Sequence, residues 1–210
     1  MYVPHQFQNN NITEVRDFIR QNSFGILVNH SDGRPFATHI PLELETNIAG
    51  NEVLFGHISK ANPQGKYFEN QSKVLAIFSG ANSYISSSWY DHENVPTWNY
   101  VAVHVYGSVK IIQGEELLYS LKKLVDKYEA QSLNPVKVES MSEKFLSDHI
   151  NGIIGFEISV DEVQSAFKLS QNRDDKNHKS IVQSLKEKGD VNSLAVAAAM
   201  EKQRGRENKY

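Results

Sequence analysis

The chain has 210 residues, a formal net charge of −3 and no cysteine. This length suffices for one domain with a sizeable core, and leaves little room for two independent ones. The lack of cysteine excludes disulfides, thiolate metal sites, Fe–S clusters and cysteine nucleophiles. The small negative charge excludes a global field that attracts nucleic acid, although Lys and Arg cluster from Lys168 onward. Met1 to Gln8 lacks a secretory pattern and no stretch resembles a membrane span, so we expect a cytoplasmic protein without membrane association.

The first half of the chain predicts one helix followed by short strands. Thr13 is a plausible N-cap for a helix that continues to about Asn22. Turn residues then separate three β-type runs, at residues 24–29, 34–42 and 52–59, with a turn at Ser31-Asp32-Gly33. A further helix is expected from Pro63, because Asn62 is a good N-cap and proline is favoured at the first helical position. The pattern indicates a β meander with a strand-to-helix turn after it.

The second half predicts longer strands and most of the helices. Strands are expected at residues 73–79 and 83–90, at 95–112 with a break near Gly107, and at 152–160 with a continuation at 166–170. Helices are expected at residues 115–130, at 140–148 with Ser140 as cap, around 181–189, and at 192–203. We therefore expect a mainly β, α+β fold, in which a barrel or sandwich carries a C-terminal helical hairpin.

The predicted strand from Trp98 to Tyr106 has two unlike faces. Alternation places valines at 101, 103 and 105 on one side, and Trp98, Tyr100, His104 and Tyr106 on the other. Large planar groups with polar tips suit a stacked ring system, but such faces also form dimer interfaces or plain sheet surfaces. The pattern alone leaves these alternatives open.

A second segment has the residue types of an anion site. Ser59 and Lys60 end a strand immediately before the predicted helix N-terminus at Asn62-Pro63, where free N–H groups and a lysine charge could hold a phosphate. The alternative is an ordinary capped helix beside an exposed lysine.

Two other kinds of site are weaker. His39, His57 and His104 lie on predicted strands and could form a metal site, but their spacing does not specify one, and we predict no metal. Ser86, Ser87 and Ser88 lack the surrounding turn and the acid and base partners of a serine hydrolase. They could instead donate to a ligand or form a polar turn.

Seven segments, in order, resemble a known family. They are Met1 to Pro4 with Phe7, Pro35 to Leu42, Gly56-His57 with Lys60 to Pro63, Tyr84 to Ser86 with Ser88 to Tyr90, Val95 to Tyr100, Val103 to Gly107, and Lys168 to Arg173. The chain thereby resembles the PaiB proteins, described as FMN-binding negative transcriptional regulators with a split barrel related to pyridoxamine phosphate oxidases. The resemblance implies an FMN-binding split-barrel domain at residues 1–172 and a helical extension at 173–210.

The resemblance also implies where FMN binds. It puts the phosphate near Lys60 and Asn62 and the isoalloxazine ring beside Thr97 to Tyr100, His57 and the Ser86 to Trp89 turn. Lys168, Ser170 and Asn172 would close the pocket. The full expected set is His39, His57, Ser59, Lys60, Asn62, Ser86, Ser88, Trp89, Thr97, Trp98, Asn99, Tyr100, Lys168, Ser170 and Asn172. In split barrels both subunits contribute to the flavin site, so a homodimer with the site at its interface is implied.

Two functions follow from this resemblance. The first is a dimeric FMN-binding repressor, which in the family's namesake acts on genes for degradative enzymes and sporulation. Direct DNA contact rests on family analogy alone, because residues 194–199 present small apolar groups where a recognition helix needs Arg, Asn or Gln. The alternative is a flavin-dependent oxidoreductase acting on a small molecule, since a bound flavin brings redox chemistry.

Overall fold

Seven strands form one sheet in the computed structural model, which describes residues 1–31, 33–68 and 71–207. The strands are β1 (Phe24–Ser31), β2 (Arg34–Pro41), β3 (Glu43–Thr46), β4 (Glu52–Ser59), β5 (Lys73–Ile85), β6 (Thr97–Ile112) and β7 (Ile153–Lys168). The helices are α1 (Ile12–Gln21), α2 (Gly114–Glu129), α3 (Glu143–Ile150), α4 (Asp175–Lys188) and α5 (Val191–Glu207). The sheet order is β2-β1-β5-β6-β7-β4-β3, and the pairs with an assigned register are antiparallel. The predicted α+β class with a dominant sheet is confirmed.

Several element boundaries differ from the prediction. The α1 cap is Asn11, whose Oδ1 accepts the Glu14 N–H at 3.1 Å, and not Thr13. The α3 cap is Ser142, whose Oγ accepts the Phe145 N–H at 3.3 Å, and not Ser140. In both cases a polar residue two positions away in the chain supplies the capping oxygen.

β5 and β6 are less interrupted than predicted, but the predicted strand at residues 83–90 ends at Ile85 and is followed by a 3₁₀ helix, Ser87–Trp89. β5 continues through residues 80–82, and β6 shows no break at Gly107. At Gly107 a Cβ would lie 1.9 Å from the Ser159 carbonyl oxygen, so glycine here permits a close backbone approach rather than a bend. The short strand β3 was not predicted. The predicted turn at Ser31-Asp32-Gly33 includes Asp32, which lies outside the described residues.

The segment after Asn62 is a 3₁₀ helix, Pro63–Tyr67, instead of the α-helix that a strong cap and a following proline indicate. The cap itself is confirmed, because the Asn62 side chain accepts the Gln64 N–H. A 3₁₀ segment of five residues has only a weak dipole.

The chain divides into two compact units, which we describe separately. The central unit consists of Ile19–Phe78 and Val105–Val163, and the terminal unit of Met1–Phe18, Ser79–His104 and Gln164–Tyr210. The predicted boundary between residues 172 and 173 stays a prediction, since the two units divide the chain at other positions.

The central unit is a sheet closed on itself. β2 contacts β4, although the two strands lie near opposite ends of the sheet order. A buried cluster of Val53, Phe55, Ile112 and Leu117 packs α2 against the sheet, since Leu117 lies on α2. This closure creates the space between β2 and β4 that is described below.

The terminal unit contains the helical hairpin that the sequence predicts. Gly189 ends α4 in the left-handed conformation at φ 73°, and its N–H donates to the Leu185 carbonyl. The apolar faces of both helices are buried, and Ile181, Leu185, Ala197 and Met200 are fully so. None of the helices in the described ranges combines the length and the apolar character needed to span a membrane.

Candidate functional site

A cleft of about 560 Å³ opens in the central unit between β2, β4 and the end of α3. Its volume lies in the range of small-molecule sites. It is lined by Thr38, Ile40, Pro41, His57, Ile58, Ser59, Asn62, Asp148, His149, Gly152 and Ile153. Isoleucines from three strands provide apolar surface, while hydroxyl, amide, imidazole and carboxylate groups provide polar contacts. Of the residues expected from the sequence, His57, Ser59 and Asn62 meet here.

Asn62 organises the rim of this cleft. Its Oδ1 accepts the Gln64 N–H at 3.0 Å, and its Nδ2 donates to Thr38 Oγ1 at 3.0 Å. The bond to Asn62 occupies the Gln64 N–H, which is one of the backbone donors expected to bind an anion. Because the following helix is also short, an anion here would depend on side-chain donors rather than on a helix dipole. Thr38 Oγ1 accepts in its bond with Asn62, so its own hydroxyl proton is available for a ligand.

Ser59 and Lys60 supply the remaining donors at the end of β4. Ser59 Oγ accepts the Ala61 N–H at 3.2 Å, which leaves its hydroxyl proton for a ligand. The Lys60 side chain is exposed, and its backbone N–H donates to the carbonyl of Gly152, a lining residue. The positive charge of Lys60 therefore directly follows Ser59, a residue of the cleft, in the chain.

His57 is half-buried on β4, and burial lowers the pKa of its imidazole below 6.5. At neutral pH the ring is uncharged, with one nitrogen donating and the other accepting. A neutral imidazole on apolar surface suits a hydrogen bond to a polar edge of a ring system.

His39, another of the expected binding residues, does not line the cleft. Its ring is exposed and stacks on Phe24, with centroids 6.4 Å apart. Strand alternation explains this placement, because Thr38 and Ile40 on the same strand point into the cleft. Thr38 was not among the expected binding residues, although the alternation of β2 indicates its position.

The helix α3 contributes residues that no sequence signal indicated. Asp148 and His149 lie in its last turn and line the cleft. The His149 ring stacks on Phe145 with centroids 4.0 Å apart, and its Nδ1–H donates to the Phe145 carbonyl at 2.8 Å. This bond fixes the tautomer and leaves Nε2 as a proton acceptor.

The other expected binding residues lie in the terminal unit. Alternation along β6 is confirmed there: Asn99, Val101 and Val103 are buried, whereas Trp98 is 53% exposed. Trp98 meets Tyr84 edge to face with centroids 5.9 Å apart. Tyr100 is half-buried on the same face as Trp98. Asn99, by contrast, is buried, and its side-chain amide forms hydrogen bonds within the terminal unit.

Three hydrogen-bonded pairs and two single residues complete this group. Asn99 Nδ2 donates to Ser170 Oγ at 2.9 Å, and the Lys168 ammonium donates to Thr97 Oγ1. Ser86 and Ser88 bond to each other through their hydroxyls at 2.8 Å, in the cap of the 3₁₀ helix Ser87–Trp89. The Trp89 carbonyl accepts from the Ser180 hydroxyl, and Asn172 is exposed. The expected residues thus form one group in each unit.

No metal-binding cluster is found in the parts of the chain that the structure describes. Nowhere in those ranges do three His, Asp or Glu side chains come together as metal ligands, and His39 is stacked on Phe24 instead.

Comparisons with known proteins bear on this arrangement. Residues 1–162 match the sequence model of the family described as "Putative FMN-binding domain". A Bacillus subtilis relative named "Protease synthase and sporulation protein PAI 2" is 40% identical over 201 residues, which cover 96% of this chain and 97% of the relative. The chain belongs to the PaiB family. A Saccharomyces cerevisiae protein is 28% identical over 169 residues, which cover 69% of this chain and 100% of its own.

Solved structures support the split-barrel fold of this PaiB-family chain. An FAD and heme binding protein from Mycobacterium smegmatis superposes with a TM-score of 0.62 at 12% identity, over 82% of this chain and 78% of its own. The flavocytochrome Anf3 from Azotobacter vinelandii gives 0.59 at 18% identity, over 83% and 76%. At these identities the likeness concerns the fold.

FMN is the cofactor of the family, and the residues of the cleft fit it. Thr38 and Ser59 offer hydroxyl protons and Lys60 a positive charge for a phosphate, and the isoleucines offer apolar surface for a planar ring. When bound, FMN supplies hydride and electron transfer. The protein's part is to bind and orient it, and His57 and His149 are the imidazole groups that line the cleft.

Proposed function

We propose that the protein is a homodimeric, FMN-binding negative regulator of gene expression, as its PaiB-family membership suggests. The cleft in the central unit carries the flavin part of this proposal, since three residues expected from the sequence meet Thr38 there. The regulatory part is supported by 40% identity to a relative whose name refers to protease synthesis and sporulation.

Flavin binding is tested by purification followed by reconstitution. The protein should be yellow or become so with FMN, and the released cofactor should have the mass of FMN. Ser59→Glu should abolish binding, because a carboxylate at the rim repels a phosphate, whereas Ser147→Glu on the exposed part of α3 should not. A colourless protein that takes up no FMN would refute the flavin part.

The homodimer is supported by an exposed aromatic pair, Tyr84 on β5 and Trp98 on β6. Trp98 is 53% and Tyr84 42% exposed in the terminal unit, and exposed aromatic side chains are typical of interfaces. Light scattering should give twice the chain mass, and Trp98→Asp should reduce the mass to that of a monomer. Phe24→Asp, at an exposed aromatic residue of the central unit, is the matched control.

The tail helices favour indirect regulation over direct DNA reading. Several of their cations are engaged within the terminal unit, where Lys176 pairs with Asp91, Lys186 with Glu201, and Arg204 with Asp175. On α5, Leu194 and alanines 195 and 198 are exposed, and these side chains have no groups that hydrogen-bond to base edges. We expect no sequence-selective mobility shift with promoter DNA at about 150 mM salt, a condition that must be stated because such binding depends on salt. A selective shift would favour direct repression.

A flavin-dependent oxidoreductase is the second candidate, and His149 is the observation that favours it. Its Nε2 accepts protons beside the cleft, as a group that assists redox chemistry on a small molecule must. Turnover of reduced FMN with a small-molecule acceptor, slowed in His149→Gln while FMN binding is retained, would support this function.

A further inference from the structure

A small cavity of about 10 Å³ lies between α2 and the sheet of the central unit. It is lined by Pro41, Glu43, Phe55, Gly56, His57, Ser120, Leu121 and Leu124. Pro41 and His57 also line the cleft, so the cavity and the cleft adjoin at these residues. The volume is about the smallest that holds one water molecule. The polar side chains of the lining belong to Glu43, His57 and Ser120, and three partners are typical of a buried water.

The pairing of β3 with β4 brings Glu43 and His57 within reach of one bridging molecule. Glu43 lies opposite Phe55 in the antiparallel register, so His57, two residues further along β4, is its diagonal neighbour on the same face. In the described part of the chain no hydrogen bond joins the two side chains directly. Diagonal neighbours lie about 7–8 Å apart, a separation that one water can bridge.

The carboxylate of Glu43 is buried and held in place by α2. Its Oε2 accepts from the Lys127 ammonium at 2.6 Å, and its Oε1 accepts from the Tyr128 hydroxyl at 2.8 Å. Because the Tyr128 proton goes to the carboxylate, the Ser23 hydroxyl donates to the Tyr128 oxygen at 2.8 Å. Each carboxylate oxygen has two lone pairs, so Glu43 can accept from one more donor. It has no proton of its own to give.

The Ser120 hydroxyl also faces the cavity as an acceptor. It is buried on α2 and donates its proton to the Leu117 carbonyl at 2.9 Å. A water between these groups must therefore give one hydrogen to Glu43 and the other to Ser120. Only its lone pairs then remain for His57, so the ring nitrogen on the cavity side must carry a hydrogen. The other nitrogen of the uncharged imidazole is then an acceptor.

We propose that Glu43, acting through one water in this cavity, is a positioning residue for His57, which holds its ring proton on the cavity side and presents an acceptor to the cleft. A ligand with an N–H or O–H group at that place is then preferred over one with an acceptor there, because two facing acceptors leave a polar group unpaired. That this ligand is FMN rests on the proposed function, whereas the protonation of His57 does not.

The test begins with the flavin-free full chain. A crystal structure that shows ordered waters should contain one water within about 3.2 Å of a Glu43 carboxylate oxygen, Ser120 Oγ and one His57 ring nitrogen. Nitrogen NMR of the imidazole at about pH 8, where the ring is uncharged, should find the proton on that same nitrogen. A cavity without water, or a proton on the cleft side of the ring, would overturn the proposal.

Substitution of Glu43 separates positioning from support of the fold. Glu43→Met removes the carboxylate at similar side-chain length, and Lys127, whose side chain is 36% exposed, can turn to solvent. The minor tautomer of His57 should increase roughly threefold or more in this variant. Glu43→Gln should keep the native tautomer, since its amide oxygen still accepts from the water. Glu45→Met, which removes an ion pair to Lys123 from the same strand, is the control and should also keep it. A native tautomer ratio in Glu43→Met would contradict the role of Glu43.

Ser120→Thr is a second variant, should Glu43→Met fold poorly. A helical threonine can still donate to a carbonyl of the preceding turn, while its added methyl group fills the cavity and displaces the water. The minor tautomer should increase here as well, and an unchanged ratio would overturn the proposal.

FMN affinity then tests the acceptor that His57 presents to the cleft. Glu43→Met should weaken FMN binding about three- to tenfold, as the loss of one hydrogen bond does, whereas Glu45→Met should not. Equal FMN affinity in the two variants would overturn this part of the proposal. Because the crystallographic and NMR results need no flavin, their failure is distinguishable from a failure to bind FMN.

Discussion

Lys60 places a positive charge directly after the strand end that carries Ser59. We expect Lys60→Ala to weaken FMN binding by about 1–3 kcal/mol, through loss of a charge-assisted contact to the phosphate. Riboflavin, which has no phosphate, should bind the variant and the native protein equally well. Fluorescence titration measures both affinities, and Lys66→Ala, at another exposed lysine of this segment, is the control. Equal FMN affinity in the two variants would place the phosphate elsewhere.

His57 makes the stability of the flavin-free protein depend on pH. Burial lowers the pKa of its imidazole in the folded state, so between that lowered pKa and 6.5 the unfolded chain binds more protons. The free energy of unfolding should therefore rise with pH across this window. His104 contributes in the same direction, because burial and the N-terminal charge lower its pKa too.

Urea unfolding at a series of pH values from about 5 to 7.5 checks this dependence. His57→Gln should reduce the slope of unfolding free energy against pH without removing it, since His104 remains. His39→Gln, at an exposed histidine, should keep the native slope. A native slope in His57→Gln would contradict the assignment.

At the scale of elements, α3 depends on one cap. Ser142→Ala removes the oxygen that accepts the Phe145 N–H and should cost about 1 kcal/mol. Because α3 carries Asp148 and His149, hydrogen exchange at residues 143–150 should speed up and His149 should lose its fixed position at the cleft. Ser147→Ala in the same helix is the control, and equal exchange rates in both variants would argue against the cap.

Substitution of Gly107 tests the close backbone approach of β6 to β7 at Ser159. Ala would place its Cβ 1.9 Å from the Ser159 carbonyl oxygen, which is backbone and cannot rotate away. Gly107→Ala should lower the free energy of unfolding by about 3 kcal/mol. Gly205→Ala, on α5 with no atom within 4 Å of the added Cβ, should leave stability unchanged or raise it by up to about 1 kcal/mol. Similar denaturation midpoints for the two variants would contradict this account.

The elements show what local sequence can and cannot predict. The α4 end at Gly189 and the alternation of β6 were predicted because one residue or a simple period determines them. β3 was missed because its sequence, Glu-Leu-Glu-Thr, is short and polar, and Glu43 is buried only through bonds from Lys127 and Tyr128, distant in the chain. β5 was divided at Gly80, where the glycine makes room for the Phe18 ring instead of turning the chain.

The residues that line the candidate cleft were predicted in part from the sequence. Ser59 and Asn62 followed from the residue types at a strand end, and His57 from its position on β4. His39 was predicted instead of its neighbour Thr38 because histidine is the more common ligand type. The alternation of β2 places Thr38, and not His39, at the cleft. Asp148 and His149 come from a helix about 90 residues later, and only the folded chain brings them to β4.

For the whole molecule, the role of the C-terminal helices can be tested by truncation. A chain that ends at Asn172 would lose Ile181, Leu185 and Met200, which are fully buried in the terminal unit, and Asn99 would lose its contact to Met200. Large apolar truncations of this kind remove several kcal/mol of stability. We expect lower thermal stability and faster hydrogen exchange at residues 79–104 than in the full chain. Native exchange rates there would establish residues 173–210 as a separable extension.

The terminal unit is built from three segments that lie far apart in the chain, and this delays its folding during synthesis. Its first segment leaves the ribosome early, but its partners at residues 79–104 and 164–207 follow only much later. At the usual elongation rate of about 5–20 residues per second, the nascent N-terminus waits roughly ten seconds or more for the hairpin. We expect the terminal unit to form only after residues 164–207 have left the ribosome, and the early segment to be a binding site for chaperones until then.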